Sequence, residues 1–231
     1  MSKTVEAVKK NLDITHNKTL KAAVYEAFRK TIILGEIPAG ERINELEFAE
    51  LLNISRTPIR YALEELAKEQ LVSHVPGVGM IVKGISIKDA KEIYDIRVAL
   101  DNLATLKAME NMSDSDFDDL EAILVQSQTY LDENEIDQLL ESFSDFNDFI
   151  YQKADMPRLK SILTDLKAYL NYFRDVSIRS TDRRDVALKE HWLIFRGMKN
   201  RDEEQIRMIT DEHLKHWLEF ILKEMERRHI D

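Results

Sequence analysis

Cysteine is absent from the 231 residues, which excludes disulfides and thiolate metal sites. Glycine and proline are scarce, six and four respectively, and no glycine stands between Gly84 and Gly197. Only Pro157 interrupts that stretch, so it lacks the turn residues that hairpins need, and a sandwich or barrel is excluded there. Long apolar runs are missing too: none exceeds four residues, which rules out a membrane-spanning helix. The segment from Met1 to Lys18 has no apolar core of the kind found in secretory leaders. A cytoplasmic location is expected, with no membrane partner.

Charge is plentiful but uneven. The net charge of −10 divides into +1 for residues 1–85 and −11 for residues 86–231, and the length suits one small and one medium domain. An acidic body repels a polyanion. Any nucleic-acid binding by the near-neutral head must therefore come from locally placed cations and be sensitive to salt.

The sharpest motif lies in that head. Ile54-Ser55-Arg56-Thr57-Pro58-Ile59-Arg60 follows the helix-prone run from Glu45 to Leu52. Ser55 is expected to accept a hydrogen bond from a free N–H at a helix start, and Pro58 falls in the first turn, where a missing N–H costs nothing. Ile59, Leu63 and Leu66 then recur at helical spacing as a buried stripe, which leaves Arg56, Thr57 and Arg60 on the opposite side. Upstream, Val24 and Phe28 mark a helix that runs out at Gly35, and Ile37-Pro38-Ala39-Gly40 turns the chain. Downstream, Leu71–Val75 and Met80–Val82 are β-prone runs around Pro76-Gly77-Val78-Gly79. A helix-turn-helix followed by a hairpin wing is the expected head, and DNA-reading helices present their N-terminal end to base edges.

Gly35, Pro38, Gly40, Arg42, Ala49, Ser55–Pro58, Arg60, Ala62-Leu63, Leu71-Val72, Pro76 and Gly79 together resemble the winged helix of the GntR family of bacterial transcription regulators, over residues 19–82. The resemblance implies DNA contacts from Arg42, Ser55, Arg56, Thr57, Pro58, Arg60, Tyr61 and the wing glycines Gly77 and Gly79. The chain departs from the pattern at Val78, where members often carry Arg, at Tyr61, where Glu is usual, and at Leu46, where a DNA-contacting Arg stands in one member. These departures shift the base-reading burden to Arg56 and Arg60.

From Ser86 onward the 3.6-residue periodicity is continuous, and an all-α antiparallel bundle of about six helices is expected. Ser86 with Asp89 has capping-box spacing. Breaks are expected at Asn111–Asp116, Asp132–Asp137, Ala154–Pro157, Arg179–Asp185 and Gly197–Glu203, with Asn200 capping the last helix. Polar residues interrupt the apolar stripes in four helices: Arg97 among Ile93, Ile96, Leu100 and Leu103; Asn147 among Leu139, Phe143, Phe146 and Ile150; His191 between Leu188 and Phe195; His213 between Ile209 and Trp217. Convergent polar groups in a bundle core form a ligand or metal pocket. A buried guanidinium needs a carboxylate, either Asp101 one turn on or a bound anion. His216 and His229 are expected to be solvated.

This part resembles the FCD effector domain of the FadR subgroup of GntR regulators over most of residues 88–220, carried by Arg97 with Leu100, the segment from Asn147 to Leu159, and His191 with Asp202 and His213. Many such domains bind a metal through Asp-x3-His on one helix and a His on each of two later helices. This chain keeps His191 and His213 but has Phe143 for the Asp and Asn147 for the first His. Asn147, His191 and His213 would be the remnant of a zinc or nickel site, short of the usual ligand set.

The expected protein is thus mainly α. A winged-helix domain occupies residues 1–84 and a helical effector-binding and dimerisation domain residues 85–231, with Lys83-Gly84-Ile85 expected as the hinge between them. It reads as a homodimeric, metabolite-responsive regulator of a double-stranded DNA operator, with a small carboxylate held by Arg97, Asp101, Asn147, His191 and His213. If either histidine donates as imidazolium, affinity should fall as pH rises above about 6.5. The competing classes are a metal- or His-dependent hydrolase with a tethering head, which lacks a nucleophile–base pair, and an architectural DNA-binding protein, which would have an unbroken apolar core.

Overall fold

Helices form almost wherever the apolar period is 3.6 in the computed structural model, which describes residues 3–14, 19–178 and 181–231. The chain divides into two compact units, one of residues up to Ile87 together with Met225–Asp231, the other Lys88–Glu224.

The first unit contains α1 (Lys3–Asn11), α2 (Leu20–Ile33), β1 (Arg42–Ile43), α3 (Glu45–Leu52), α4 (Arg56–Lys68), β2 (Val72–Val75) and β3 (Gly79–Val82). Thr19 caps α2 through its hydroxyl, and Gly35 follows the helix at φ +69°, a conformation that glycine adopts without a Cβ clash. Asn44 caps α3, accepting from the Leu46 and Glu47 amides at 3.1 and 3.5 Å. Ser55 departs from expectation. It stands at the N-cap of α4 with extended backbone, but its side chain makes no capping hydrogen bond. The start of α4 is held instead by packing, with Pro58 and Ile59 buried in its first turn. Ile59, Leu63 and Leu66 are buried as the stripe required, and Phe28 meets Phe48 with ring centroids 4.9 Å apart.

The wing is a three-stranded antiparallel sheet in the order β1-β3-β2, with Arg42 opposite Ile81 and Val75 opposite Gly79. Two elements lie outside the sequence expectation. β1 is only two residues long, too short to show alternation. In α1, Val5 and Val8 are buried and the Asn11 amide donates to Thr31 Oγ1 at 3.0 Å and Glu36 Oε2 at 2.9 Å. The Lys83 and Gly84 amides both donate to the Leu71 carbonyl, at 2.9 and 3.1 Å, and Ile85 is buried, so the segment read as a connector is fastened to the wing.

The second unit is built from α5 (Ile87–Asn111), α6 (Asp114–Asp132), α7 (Ile136–Lys153), α8 (Pro157–Ile178), α9 (Thr181–Lys199) and α10 (Glu203–Arg227). The break expected at Arg179–Asp185 lies partly outside the described residues. Ser113 and Asp116 form a reciprocal capping box on α6. The cap of α10 is Asp202 rather than Asn200: its carboxylate accepts from the Gln205 amide at 2.9 Å.

The core joins Leu120, Leu124, Leu139, Phe143, Phe146, Ile150, Leu188, Phe195 and Ile206. On α5 the buried face carries Ile93, Arg97, Asp101, Ala104 and Ala108, while Ile96 and Leu103 are 39 and 38 % exposed. Each of these two lies one residue, about 100°, from a buried position. They leave the inward stripe proposed for them and form with half-buried Leu100 an apolar line on the outer surface.

Candidate functional site

Two groups of residues carry chemistry. In the first unit Arg56, Thr57, Arg60 and Tyr61 are exposed on one side of α4. Arg42 is exposed on β1, and a Cβ added at Gly79 would come 3.7 Å from its Nε, so Arg42 and the wing glycine are neighbours. Gly77 and Gly79 have φ of +77° and +111°, which the hairpin turn requires and a side chain would strain. Lys21 lies over the Tyr61 ring, 5.3 Å from its centroid. Glu45, at the start of α3, was missed by sequence reasoning. Its Oε2 accepts from Arg56 Nη2 at 2.9 Å and from Arg60 Nη2 at 3.4 Å.

In the second unit Arg97, Asn147 and His213 line one cavity, and His191 lies beside it against the His213 ring. Arg97 is buried and its Nε donates to Asp101 Oδ2 at 3.0 Å; Tyr151 donates to the other oxygen of Asp101. The guanidinium also lies over the Trp217 ring, 4.7 Å from its centroid. Burial opposes the charge on Arg97, but Asp101 and Tyr151 outweigh it, and the pKa is raised. Arg97, Asp101, Asn147, Tyr151, Thr210 and His213 line one cavity of about 20 Å³, room for about one water molecule.

Burial disfavours the charged form of both His191 and His213. His191 is buried, stacked on Phe146 with centroids 4.5 Å apart, edge-on to Phe143 at 4.8 Å, and 4.9 Å from the His213 ring. Among the described residues neither of its nitrogens has a hydrogen-bond partner, and the Thr210 hydroxyl is likewise buried without one. Burial holds the His191 pKa well below 6.5, with the neighbouring His213 adding to the effect. His213 is also lowered by burial, against the pull of Glu190.

Glu190 is the second residue missed. Its Oε2 lies 2.6 Å from His213 Nδ1 and 3.0 Å from Arg183 Nη1, and its Oε1 lies 2.6 Å from His216 Nδ1. Burial works against the charged carboxylate, but the hydrogen bond from His213, the charge of Arg183 and the bond from His216 bring its pKa down to about 2. A neutral His213 facing this carboxylate carries its proton on Nδ1, leaving Nε2 as a bare acceptor. His216 is exposed, as expected, and its Nδ1 reaches the same carboxylate. The lowered pKa of His191 and of His213 disfavours the imidazolium donors considered from sequence.

The remnant metal set does not fit a divalent ion. Phe146 and Phe143 enclose the His191 ring; the Asn147 amide nitrogen donates to the Phe143 carbonyl at 2.8 Å and His213 Nδ1 faces Glu190, which leaves Asn147 Oδ1 and His213 Nε2 as the donors beside it. Among the described residues no three His, Asp or Glu side chains are grouped to hold a metal, and two imidazoles fall short of the usual three or four ligands.

The comparisons with known proteins agree with both units. The family of bacterial regulatory proteins named gntR matches residues 20–82, and the FCD domain matches residues 92–216. The chain belongs to the GntR family. Among relatives of this regulator, the uncharacterized HTH-type transcriptional regulator YdhC of Bacillus subtilis is 27% identical over 203 residues, covering 84% of this chain and 91% of its own. The HTH-type transcriptional repressor RspR of Escherichia coli is 26% identical over 192 residues, covering 83% and 84%. The solved structure of Lar, a protein that controls the agr system of Listeria monocytogenes, superposes with a TM-score of 0.68 at 17% identity, over 90% of this chain and 99% of that one, and supports the fold. The regulator is thus a DNA-binding transcription factor with an effector-binding domain; its families and relatives are regulators, not enzymes, and nothing in them supports the hydrolase alternative.

Proposed function

We propose that this regulator, a cytoplasmic homodimer of the FadR subgroup, reads a two-fold-related operator with Arg56 and Arg60 of each protomer and changes its operator affinity when a small carboxylate binds at Arg97. The buried guanidinium beside unpartnered polar atoms carries the reading: Arg97 lines a cavity with the Thr210 hydroxyl, and the unpaired nitrogens of His191 lie one ring away. Unpaired buried polar atoms cost about 1–3 kcal/mol each, so a ligand that satisfies them recovers that energy. Asp101 already holds Nε; the incoming carboxylate competes with it for the guanidinium and enlarges a cavity that otherwise has room for one water. The outward line of Ile96, Leu100 and Leu103 supports a dimer, since exposed apolar stripes on a helix are commonly covered by a second chain.

The Arg97–Asp101 pairing favours a second reading, in which the ligand is uncharged and bears hydroxyl or amide groups. Calorimetry on the regulator, Arg97→Met and the charge-balanced Arg97→Met/Asp101→Asn, against small carboxylates and the matching amides, separates the two. Carboxylates should bind the parent and neither variant. Equal binding to the variants would remove Arg97 from the site, and amides that bind as well as acids would favour the uncharged ligand.

A further inference from the structure

We infer that Glu45 is a specificity residue of the DNA-reading surface: it holds Arg56 and Arg60 in the free regulator and so weakens binding to unselected DNA more than binding to the operator. The inference rests on the reading of Arg56 and Arg60 as base readers. Glu45 is placed by the Asn44 cap at the start of α3, and one of its oxygens accepts from both guanidinium groups, at 2.9 and 3.4 Å. Its side chain is 24% exposed against 52 and 58% for the two arginines, so the carboxylate sits behind the cations that meet the duplex.

Two cations and one anion present a net charge of +1 to DNA where the arginines alone would present +2. On unselected DNA the arginines meet phosphates as charges, each contact competes with Glu45, and the carboxylate is brought toward a polyanion. On the operator each arginine exchanges the carboxylate for two directional hydrogen bonds to a guanine edge, which compensates the exchange more fully. Specificity is a difference of affinities, and a group that penalises the wrong partner more than the right one increases it. Because exposed ion pairs are individually weak, the effect is a few-fold.

The test is Glu45→Gln in the full-length regulator, titrated by fluorescence anisotropy against two duplexes of equal length over a range of salt. One duplex is selected from a randomised pool with the parent protein; the other is unselected. Binding to unselected DNA should tighten about three- to tenfold and its logarithmic salt slope should steepen by up to about 0.9, while binding to the selected duplex gains less. Glu6→Gln makes the same charge change at an exposed position of α1 and should raise both affinities slightly and equally. In an Arg56→Ala/Arg60→Ala background Glu45→Gln should raise both affinities only slightly and equally, as Glu6→Gln does. Equal tightening on both duplexes, no change on either, or a selective gain on unselected DNA that persists in that background would overturn the inference. If the double alanine variant still binds the selected duplex like the parent, the base readers lie elsewhere and the reading beneath the inference fails with it. If that variant loses binding while Glu45→Gln does nothing, only the inference is lost.

Discussion

Replacing His191 by Phe should flatten the acid side of the stability curve. Among the described residues this imidazole has both nitrogens buried without a partner, and burial holds its pKa well below the ordinary value. The sign follows from linkage. The unfolded chain takes up a proton near pH 6.5 while the folded one refuses it, so the stability associated with the neutral ring is complete above that pH and is lost as pH falls toward the folded value. A ring that stays neutral throughout loses about 1.6 kcal/mol between pH 6.5 and pH 5. His213, also lowered by burial, contributes up to the same again, so the parent should lose up to about 3 kcal/mol and His191→Phe about half of that. Glu190 does not interfere: held at about 2, its own contribution declines only below about pH 4.5. The remaining histidines are common to both proteins and cancel. Urea unfolding followed by circular dichroism at these pH values measures the difference. Near pH 7.5 the variant should be as stable as the parent or more so, because an aromatic ring without polar atoms leaves nothing unsatisfied between Phe143 and Phe146. Equal losses in parent and variant would mean that the folded ring is protonated or hydrated, and the burial argument would be wrong.

Two other outcomes follow from the same region. Glu190→Gln leaves Arg183 and two imidazoles facing an uncharged amide in place of a carboxylate that is 8% exposed; breaking a buried pair in this way costs about 3 kcal/mol, which calorimetry should register as a melting temperature lower by roughly 6–12 °C. Because the donor set does not fit a divalent ion, elemental analysis of purified protein should find well under one zinc or nickel per chain, and chelator should leave its melting temperature in place; stoichiometric metal that survives prolonged chelator dialysis would show that Asn147 and water complete a site with the two histidines.

Much of this architecture was legible because it depends on local chemistry. The recognition helix, the wing and the six helices of the second unit follow from apolar period, turn residues and glycine distribution, and the elements of the structure fall where those signals do. The convergence of Arg97, Asn147 and His213 was legible because each breaks an apolar stripe. What escaped depends on neighbours distant in sequence. Glu45 and Glu190 are ordinary acidic residues by pattern, and only tertiary packing brings one against two arginines and the other against two histidines. Asp101 was available as a partner for Arg97 from the i, i+4 spacing, but whether it or an anion held the guanidinium could not be decided from spacing. Ile96 and Leu103 were placed inward because they are apolar; the helix instead turns its face to bury Asp101, since a buried guanidinium without a carboxylate costs more than two half-exposed aliphatic side chains.

On the function proposed above, the two units share a design in which ligand binding is exchange rather than addition. Arg56 and Arg60 already have Glu45, and Arg97 already has Asp101. A ligand gains only the difference between its own contacts and those it displaces, so affinity is restrained in both places. Discrimination is not restrained, because a partner that offers charge without the right geometry recovers little of what it breaks. In an acidic protein whose DNA-reading head carries a net charge near zero, this is how a few cations can select an operator without condensing on all DNA. On the reading proposed here it also bounds the regulation. The effector can change operator affinity only by its own difference in affinity between the DNA-competent and DNA-incompetent states, and the operator must change effector affinity by the same factor. A carboxylate that breaks the Arg97–Asp101 pair equally in both states would bind and regulate nothing, so the coupling must reside in contacts of Arg97, His213 or Thr210 that differ between the states. Measuring effector affinity with and without the selected duplex gives that coupling directly, and a ratio of one would leave the pocket occupied but without a regulatory role.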